Sequence, residues 1–188
     1  MEAIAARRSI RRFQDRPIPE VAIQAILTAG TQAPSGKNRQ PWRFVVVRAE
    51  QRAAMIRVMR GAVTRTLARG DDPSSAEGTA DAMEQAPLTV FVFNPYGLDL
   101  GLKRSVDQMF LDVVDIQSIG AAIQNMLLAA QDQGIASLWI CDVFVAYEEL
   151  REWLGEEGQM VAAVSFGYAA ESPLARPRRR VDEVTRWV

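Results

Sequence analysis

The stretch Arg7-Arg8-Ser9-Ile10-Arg11-Arg12-Phe13 places four arginines and a serine within seven residues, directly after a short helix predicted over Glu2–Ala6. A guanidinium offers a planar fork of donors that matches phosphate oxygens, and a serine hydroxyl adds one compact donor. The heptad therefore indicates an anion-binding segment, with a cofactor phosphate as the first candidate ligand. For the heptad on its own, a solvated basic surface is the alternative interpretation.

The composition around this heptad is that of an ordinary globular chain. Its 188 residues suit one domain over residues 1–188 and are enough to bury a core. Hydrophobic residues make up 48% and charged residues 24%, which is typical of globular domains. The net charge of −1 provides no global basic field for nucleic acid or acidic lipid. We therefore expect neither nucleic acid nor a membrane as a partner.

Two amino-acid types limit the chemistry. Histidine is absent, which removes the commonest general base and metal ligand and argues against Ser or Cys triads and against zinc sites. Cys141 is the single cysteine, so no intramolecular disulfide can form, and we expect it to be a small buried residue. The N-terminus lacks a signal-peptide pattern, so the expected compartment is the cytoplasm.

Hydrophobic periodicity and turn residues divide the chain into helices and strands. Helices are predicted over Glu20–Ala29, Gln51–Arg69, Ala76–Gln85, Val113–Gln133 and Tyr147–Leu154. Strands are predicted over Arg43–Arg48, Leu88–Phe93, Ser137–Ile140 and Met160–Tyr168. The apolar runs Phe44–Val47, Leu88–Phe93 and Val161–Val164 predict that these three strands are buried on both faces. Gly30 is read as the end of the first of these helices.

Three separated segments carry a resemblance. They are Arg7–Phe13, the loop Ala33-Pro34-Ser35-Gly36-x-Asn38-x-Gln40-Pro41-Trp42, and Gly167-Tyr168 followed by an arginine-rich tail. Together, in that order, they resemble the flavin-dependent nitroreductase family, and the match runs from Ile4 to the C-terminus. The resemblance implies an α+β fold whose central sheet is mixed, mostly antiparallel and flanked by helices. It also implies a homodimer with FMN at the subunit interface.

The resemblance assigns the arginines to the cofactor. It implies that flavin contacts come from Arg7, Arg8, Ser9 and Arg11, with Arg176 and Arg178 at the phosphate. A cation near the N1–O2 edge of the ring stabilises reduced flavin, and Arg11 is the candidate for that role. Arg12 is expected at the surface, and Phe13 in the core.

Two further segments are implied to approach the flavin. Pro34 and Ser35 would reach it from the other subunit, whereas Asn38 and Gln40 could contact cofactor or substrate or simply cap local backbone. The strand end Leu138-Trp139-Ile140 would pass beside flavin N5, and backbone N–H groups of Cys141 and Asp142 would hold N5 in place. No side-chain acid and no metal are assigned to the reaction.

The remaining segments are implied to complete the cleft and the dimer. Residues 95–112 would cover the cleft, with Tyr96 and Phe110 as candidates to stack on the acceptor. The tail 169–188 would embrace the partner subunit, because its terminal Trp187 is costly to leave in water.

The implied activity is a ping-pong reaction. NADH or NADPH reduces FMN, and an electron-poor acceptor such as a nitroaromatic or quinone is then reduced in the same cleft. The alternatives are a specialised enzyme of the same fold, such as a reductive dehalogenase or a flavin-consuming enzyme, or a non-catalytic flavin-binding or storage protein.

Overall fold

A four-stranded sheet forms the centre of the molecule, which we describe over residues 2–188 of a computed structural model. The strands are β1 (Arg43–Arg48), β2 (Leu88–Asn94), β3 (Ala136–Ile140) and β4 (Gln159–Gly167). Their order is β1-β2-β4-β3, and every neighbouring pair is antiparallel. One isolated parallel bridge joins Ser9 to Ser137 at the β3 edge.

Helices cover both faces of this sheet. They are α1 (Glu2–Ala6), α2 (Glu20–Thr31), α3 (Ala49–Ala68), α4 (Ala76–Gln85), α5 (Val106–Asp132), α6 (Tyr147–Leu154) and α7 (Val181–Val184). Short 3₁₀ turns span Gly36–Asn38 and Asp142–Ala146. Alternation along β2 sends Phe91 and Phe93 toward α3, α4 and α6, and Val90 and Val92 toward α2 and α5. The predicted α+β architecture is confirmed, with parallel pairing limited, over the described residues, to the Ser9–Ser137 bridge. The two-sided burial predicted for β2 and β4 is also confirmed. The same prediction was wrong for β1, which is only partly buried because it lies at the edge of the sheet.

The helix predicted over Val113–Gln133 begins earlier, at Val106. Ser105 caps it: the Ser105 hydroxyl accepts from the Gln108 N–H at 3.2 Å, and the Gln108 side chain accepts from the Ser105 N–H at 2.9 Å. This reciprocal capping box satisfies two N–H groups at the helix start. Residues 106–112 are therefore helical rather than part of an irregular connection.

Two smaller expectations are also corrected. α2 continues through Gly30 to Thr31, because Gly30 serves a close helix contact and not a helix end. A Cβ at Gly30 would lie 2.9 Å from Cγ of Met126 and 3.1 Å from Cζ of Phe44. Cys141 is exposed in the single chain, where burial was expected, because it follows the end of the edge strand β3.

Helix α5 is long and apolar enough to cross a membrane by length and composition, with a mean hydropathy of 1.3 over its most apolar window. Its second half nevertheless lies in the protein core, where Ile119, Ile123 and Met126 are fully buried against α2 and the sheet. We therefore interpret α5 as a core helix. Its first half exposes a run of apolar side chains, which are Val106, Met109, Phe110, Leu111, Val113, Val114 and Ile116.

Candidate functional site

The two ends of the chain are joined by backbone hydrogen bonds. Phe13 and Ala169 form an antiparallel bridge, and the Ala170 N–H donates to the Arg12 carbonyl at 2.9 Å. Phe13 is buried and Arg12 is exposed, as predicted. This short ladder brings the tail that follows β4 alongside the arginine-rich heptad.

A carboxylate continues the connection between the two ends. The Glu171 side chain accepts from the backbone N–H groups of Arg11, at 2.5 Å, and of Arg12, at 3.2 Å. Each of these N–H groups would otherwise lack a partner in this extended segment. Glu171 therefore holds the start of the tail in register with the heptad.

The heptad and the tail enclose one cleft of about 200 Å³. The residues lining it are Arg7, Arg8, Ser9, Arg11, Pro173, Leu174, Arg176 and Arg178. All six polar residues that the sequence assigned to the heptad and the tail thus lie together. Five guanidinium groups around a small volume create a strongly positive cleft suited to a phosphate or another compact anion.

Arg8 is oriented within this cleft by local acceptors. Its Nη1 donates to the carbonyls of Ala5, at 2.7 Å, and Arg7, at 2.9 Å. The Ala5 carbonyl belongs to the last turn of α1, which has no partner inside the helix. Arg8 is therefore held in position, and within residues 2–188 its Nε and Nη2 donors have no hydrogen-bond acceptor and can serve an anion.

The Pro-Ser loop lies on another part of the surface, against α5. The Gly36 N–H donates to the Ser118 hydroxyl at 3.4 Å, and a Cβ at Gly36 would lie 2.5 Å from Cγ1 of Val114. Only glycine allows so close an approach to the helix. Pro34, Ser35, Asn38 and Gln40 are not among the residues that line the arginine cleft of the same chain.

An ion pair anchors this loop, and the sequence analysis did not identify it as part of the site. Nε and Nη2 of Arg39 each lie 3.1 Å from a different carboxylate oxygen of Asp115. The Asp115 side chain is only 3% exposed. This bidentate contact raises the pKa of Arg39. The available sequence signal was an acidic residue within an apolar helix, which must be paired when it is buried.

At the β3 edge, the three candidate residues differ in what they can offer a ligand. Leu138 and Ile140 are buried in the core, so their side chains are not available to a ligand. Trp139 is 39% exposed, and its ring lies beside Gly120 of α5. The Ile10 N–H donates to the Ser137 carbonyl at 3.0 Å, which fixes β3 next to the heptad.

The residues that follow β3 are held by α4. One carboxylate oxygen of Asp142 accepts from the hydroxyls of Ser75, at 2.6 Å, and Thr79, at 2.7 Å. Although Cys141 is exposed as a residue, partial burial of its thiol raises the pKa of that thiol, and the charge of Asp142 raises it further. Cys141 is thus a protonated, weakly nucleophilic thiol at neutral pH.

The connection between β2 and α5 is fastened by two arginines. Arg151 of α6 binds the Asp99 carboxylate and donates to the Gly158 carbonyl at 3.1 Å. Nη2 of Arg104 donates to the carbonyls of Leu98, at 2.8 Å, and Asp99, at 3.0 Å. These contacts give the segment a defined path while Tyr96 remains exposed.

A model described as the nitroreductase family matches residues 4–168. The chain belongs to the nitroreductase family. It is 32% identical over 173 residues to an Archaeoglobus fulgidus protein provisionally named NADH dehydrogenase/NAD(P)H nitroreductase, and the alignment covers 89% of this chain and 84% of the relative. The resemblance seen in the three segments is thereby confirmed.

Solved structures share the fold of this nitroreductase-family chain. A Desulfovibrio desulfuricans protein, provisionally described as a nitroreductase and solved in complex with FMN, is 29% identical with a TM-score of 0.74. The alignment covers 98% of this chain and 93% of that one. The FMN-dependent nitroreductase NfnB of Mycobacterium smegmatis, solved with NADPH, has a TM-score of 0.81 at 21% identity, covering 100% and 96% of the chains. Because the sequence identity to NfnB is low, this similarity shows only that the two proteins share a fold.

Proposed function

We propose that this protein is an FMN-dependent oxidoreductase that takes electrons from NADH or NADPH and reduces an electron-poor acceptor such as a nitroaromatic or a quinone. The single observation that carries the proposal is the cleft in which the heptad and the tail bring five arginines together. Family membership and the relative solved in complex with FMN support FMN as the ligand whose phosphate binds in this cleft.

The residues present fit the phosphate end of FMN. Guanidinium and hydroxyl donors are the groups that phosphate oxygens prefer. The cleft volume of about 200 Å³ is smaller than the roughly 300–1,000 Å³ of pockets that enclose a whole small ligand. Arg7, Arg8, Ser9, Arg176 and Arg178 would therefore hold the phosphate and the adjacent part of the ribityl chain. The ring would lie outside the cleft.

The chain's contribution to the reaction is binding and orientation. When bound, FMN supplies hydride transfer, first from the nicotinamide and then to the acceptor, in a ping-pong sequence. Arg11 would place positive charge at the N1–O2 edge, and the backbone at Cys141 and Asp142 would hold the ring edge at N5. Because the chain has no histidine, we assign no side-chain acid to the reaction.

The ring would be enclosed by a second subunit. The apolar first half of α5 is exposed in the single chain, with Phe110 at 67%, and the tail ends in Trp187 at 88% exposure. Exposed apolar side chains in such number are costly in water and favour a subunit contact. We propose a homodimer in which residues 169–188 embrace the partner and Pro34, Ser35, Asn38 and Gln40 reach the partner's flavin.

The cover of the cleft would set the choice of acceptor. Residues 95–112, including the first turns of α5, carry exposed aromatic side chains at Tyr96 and Phe110. Flat aromatic acceptors suit such surfaces because stacked rings attract each other. We retain the interpretation of residues 1–188 as one domain, and the cytoplasm, where NAD(P)H is abundant, as its compartment.

An absorbance spectrum followed by anaerobic titration with NADH and then NADPH tests this function. We expect a yellow protein with about one FMN per subunit, bleached by at least one donor and reoxidised by a quinone or nitroaromatic. A protein that stays colourless with added FMN would reject the cofactor. A flavin that neither donor reduces would instead indicate a storage or sensor protein.

A further inference from the structure

The ion pair between Arg39 and Asp115 lies where the Pro-Ser loop rests on α5. Both carboxylate oxygens of Asp115 accept from Arg39, each at 3.1 Å, and the carboxylate is nearly removed from solvent. A buried carboxylate is strongly unfavourable without a counter-charge, so Asp115 fixes the position of Arg39. The ion pair thereby ties Arg39, which lies between Asn38 and Gln40 in the loop, to the core helix α5.

The loop that Arg39 anchors has an unfavourable backbone. Lys37, Asn38 and Gln40 have φ values of 52°, 55° and 49°, in the left-handed region that residues with a Cβ atom avoid. Inside the loop, the Ser35 hydroxyl accepts from the Gln40 N–H at 3.0 Å. Such a backbone persists only where its surroundings determine it, and Arg39 supplies a charged contact with the helix beside the Gly36–Ser118 hydrogen bond.

The same guanidinium contacts the segment that covers the cleft. Cζ of Arg39 lies 4.6 Å from the centroid of the Tyr96 ring, within the range of a cation–π interaction. Tyr96 is otherwise 57% exposed. Arg39 therefore lies between a buried carboxylate and an aromatic ring that belongs to a different segment.

We propose that Asp115 is a positioning residue that acts through Arg39. It holds the Pro34–Gln40 loop in its left-handed form and couples that loop to the 95–105 connection through the Arg39–Tyr96 contact. This inference rests on the proposed function, in which the loop approaches the flavin and the connection approaches the acceptor. A substitution of Asp115 should accordingly weaken the binding of both the cofactor and the acceptor.

The chain contains a natural reporter for each segment. Its only two lysines are Lys37, in the loop, and Lys103, in the connection, and both are exposed. A lysine-specific protease therefore cuts native protein at these two sites, with rates that follow the open population of each segment. The test compares Asp115→Asn with Asp132→Asn, which makes the same change at an exposed position at the far end of α5 from Lys103.

The first measurement uses protein stripped of flavin. We expect Asp115→Asn to raise the cleavage rate at Lys37 about tenfold, the effect of losing one charge-assisted hydrogen bond, and to raise cleavage at Lys103 as well. In a Tyr96→Leu background the effect at Lys103 should disappear. Asp132→Asn should match the wild type at both lysines. Arg39→Gln, which removes the charge and the planar fork without adding a lysine, provides a second variant if Asp115→Asn folds poorly.

The second measurement uses FMN. Asp115→Asn should weaken FMN binding about tenfold, and at saturating FMN it should raise the KM for the acceptor while kcat changes less than about twofold. A purely structural defect would lower kcat with the amount of folded protein and leave KM unchanged. A raised KM with a nearly unchanged kcat therefore distinguishes loss of positioning from general destabilisation.

Two results would overturn the inference. One is an unchanged cleavage rate at Lys37 in both Asp115→Asn and Arg39→Gln. The other is faster cleavage combined with unchanged FMN affinity and unchanged acceptor KM. Failure of the wild type to bind FMN would reject the proposed function, whereas the cleavage rates of flavin-free protein would still decide whether Asp115 holds the loop.

Discussion

Removal of the Arg8 guanidinium tests the anion cleft most directly. In the structure Arg8 uses Nη1 for two local carbonyls, which leaves Nε and Nη2 for a ligand. Arg8→Ala therefore deletes about one charge-assisted contact with the phosphate, worth about 1.5–3 kcal/mol. Four other arginines line the same cleft and continue to attract the anion. We expect the lower part of that range, and so a loss of FMN affinity of about ten- to thirtyfold.

Arg12→Ala is the matched control. Arg12 belongs to the same heptad but is exposed and does not line the cleft. Its removal should leave FMN affinity within about twofold, since an exposed charge outside the contact is screened by salt. Arg8→Ala and Arg12→Ala make the same substitution, so a difference in FMN affinity between them reflects whether the arginine lines the cleft.

The assay is a titration of flavin-free protein with FMN, followed by flavin fluorescence, at two salt concentrations. Inorganic phosphate should compete with FMN for the wild type and compete less well for Arg8→Ala. Equal affinity of Arg8→Ala and the wild type would refute the assignment of the cleft. An equal loss in Arg12→Ala would mean that overall basic charge, and not the cleft, governs binding.

Three further predictions concern other parts of the site. Gly36→Ala should displace the Pro-Ser loop and weaken FMN binding several-fold in the same titration, because its Cβ would lie 2.5 Å from Val114 Cγ1. Adding Val114→Ala should restore FMN binding, and a failure to restore it would contradict the steric explanation. Phe110→Glu should shift the protein from dimer to monomer in sedimentation analysis, since it places a charge on the exposed apolar face of α5, and an unchanged dimer would place the interface elsewhere. The Cys141 thiol should react slowly with iodoacetamide at pH 7, because its pKa is raised above the ordinary value and little thiolate is present at that pH. Asp142→Asn should lower the pH at which the alkylation rate reaches half its maximum. A half-maximal rate below pH 9.0 in the wild type would contradict a raised pKa of Cys141.

Local sequence signals predicted most elements well. The bounds of β1, α4 and α6 agree with the structure, because alternating or periodic apolar residues and flanking turn residues act over a few positions. The start of α5 was missed although its signal was present in Ser105 and Gln108. That capping box precedes residues whose apolar character is spread around the helix, so periodicity alone placed the start too late.

The candidate site was partly predictable for a similar reason. Arginines clustered in one heptad and one tail could be recognised as anion ligands from their chemistry. The structure adds that they share one cleft, which depends on Glu171 bonding to the Arg11 N–H across 160 positions of the chain. No local pattern specifies a contact at that separation.

The sequence by itself determined the classes of residue, the apolar strands and the family, because these follow from side-chain chemistry and short-range spacing. Only the tertiary structure decided that Asp115, an acidic residue in an apolar helix, is the anchor of Arg39 across 76 positions. The physical reason is burial: a carboxylate removed from water requires a partner, and the packing of the loop on α5 decides which cation it receives.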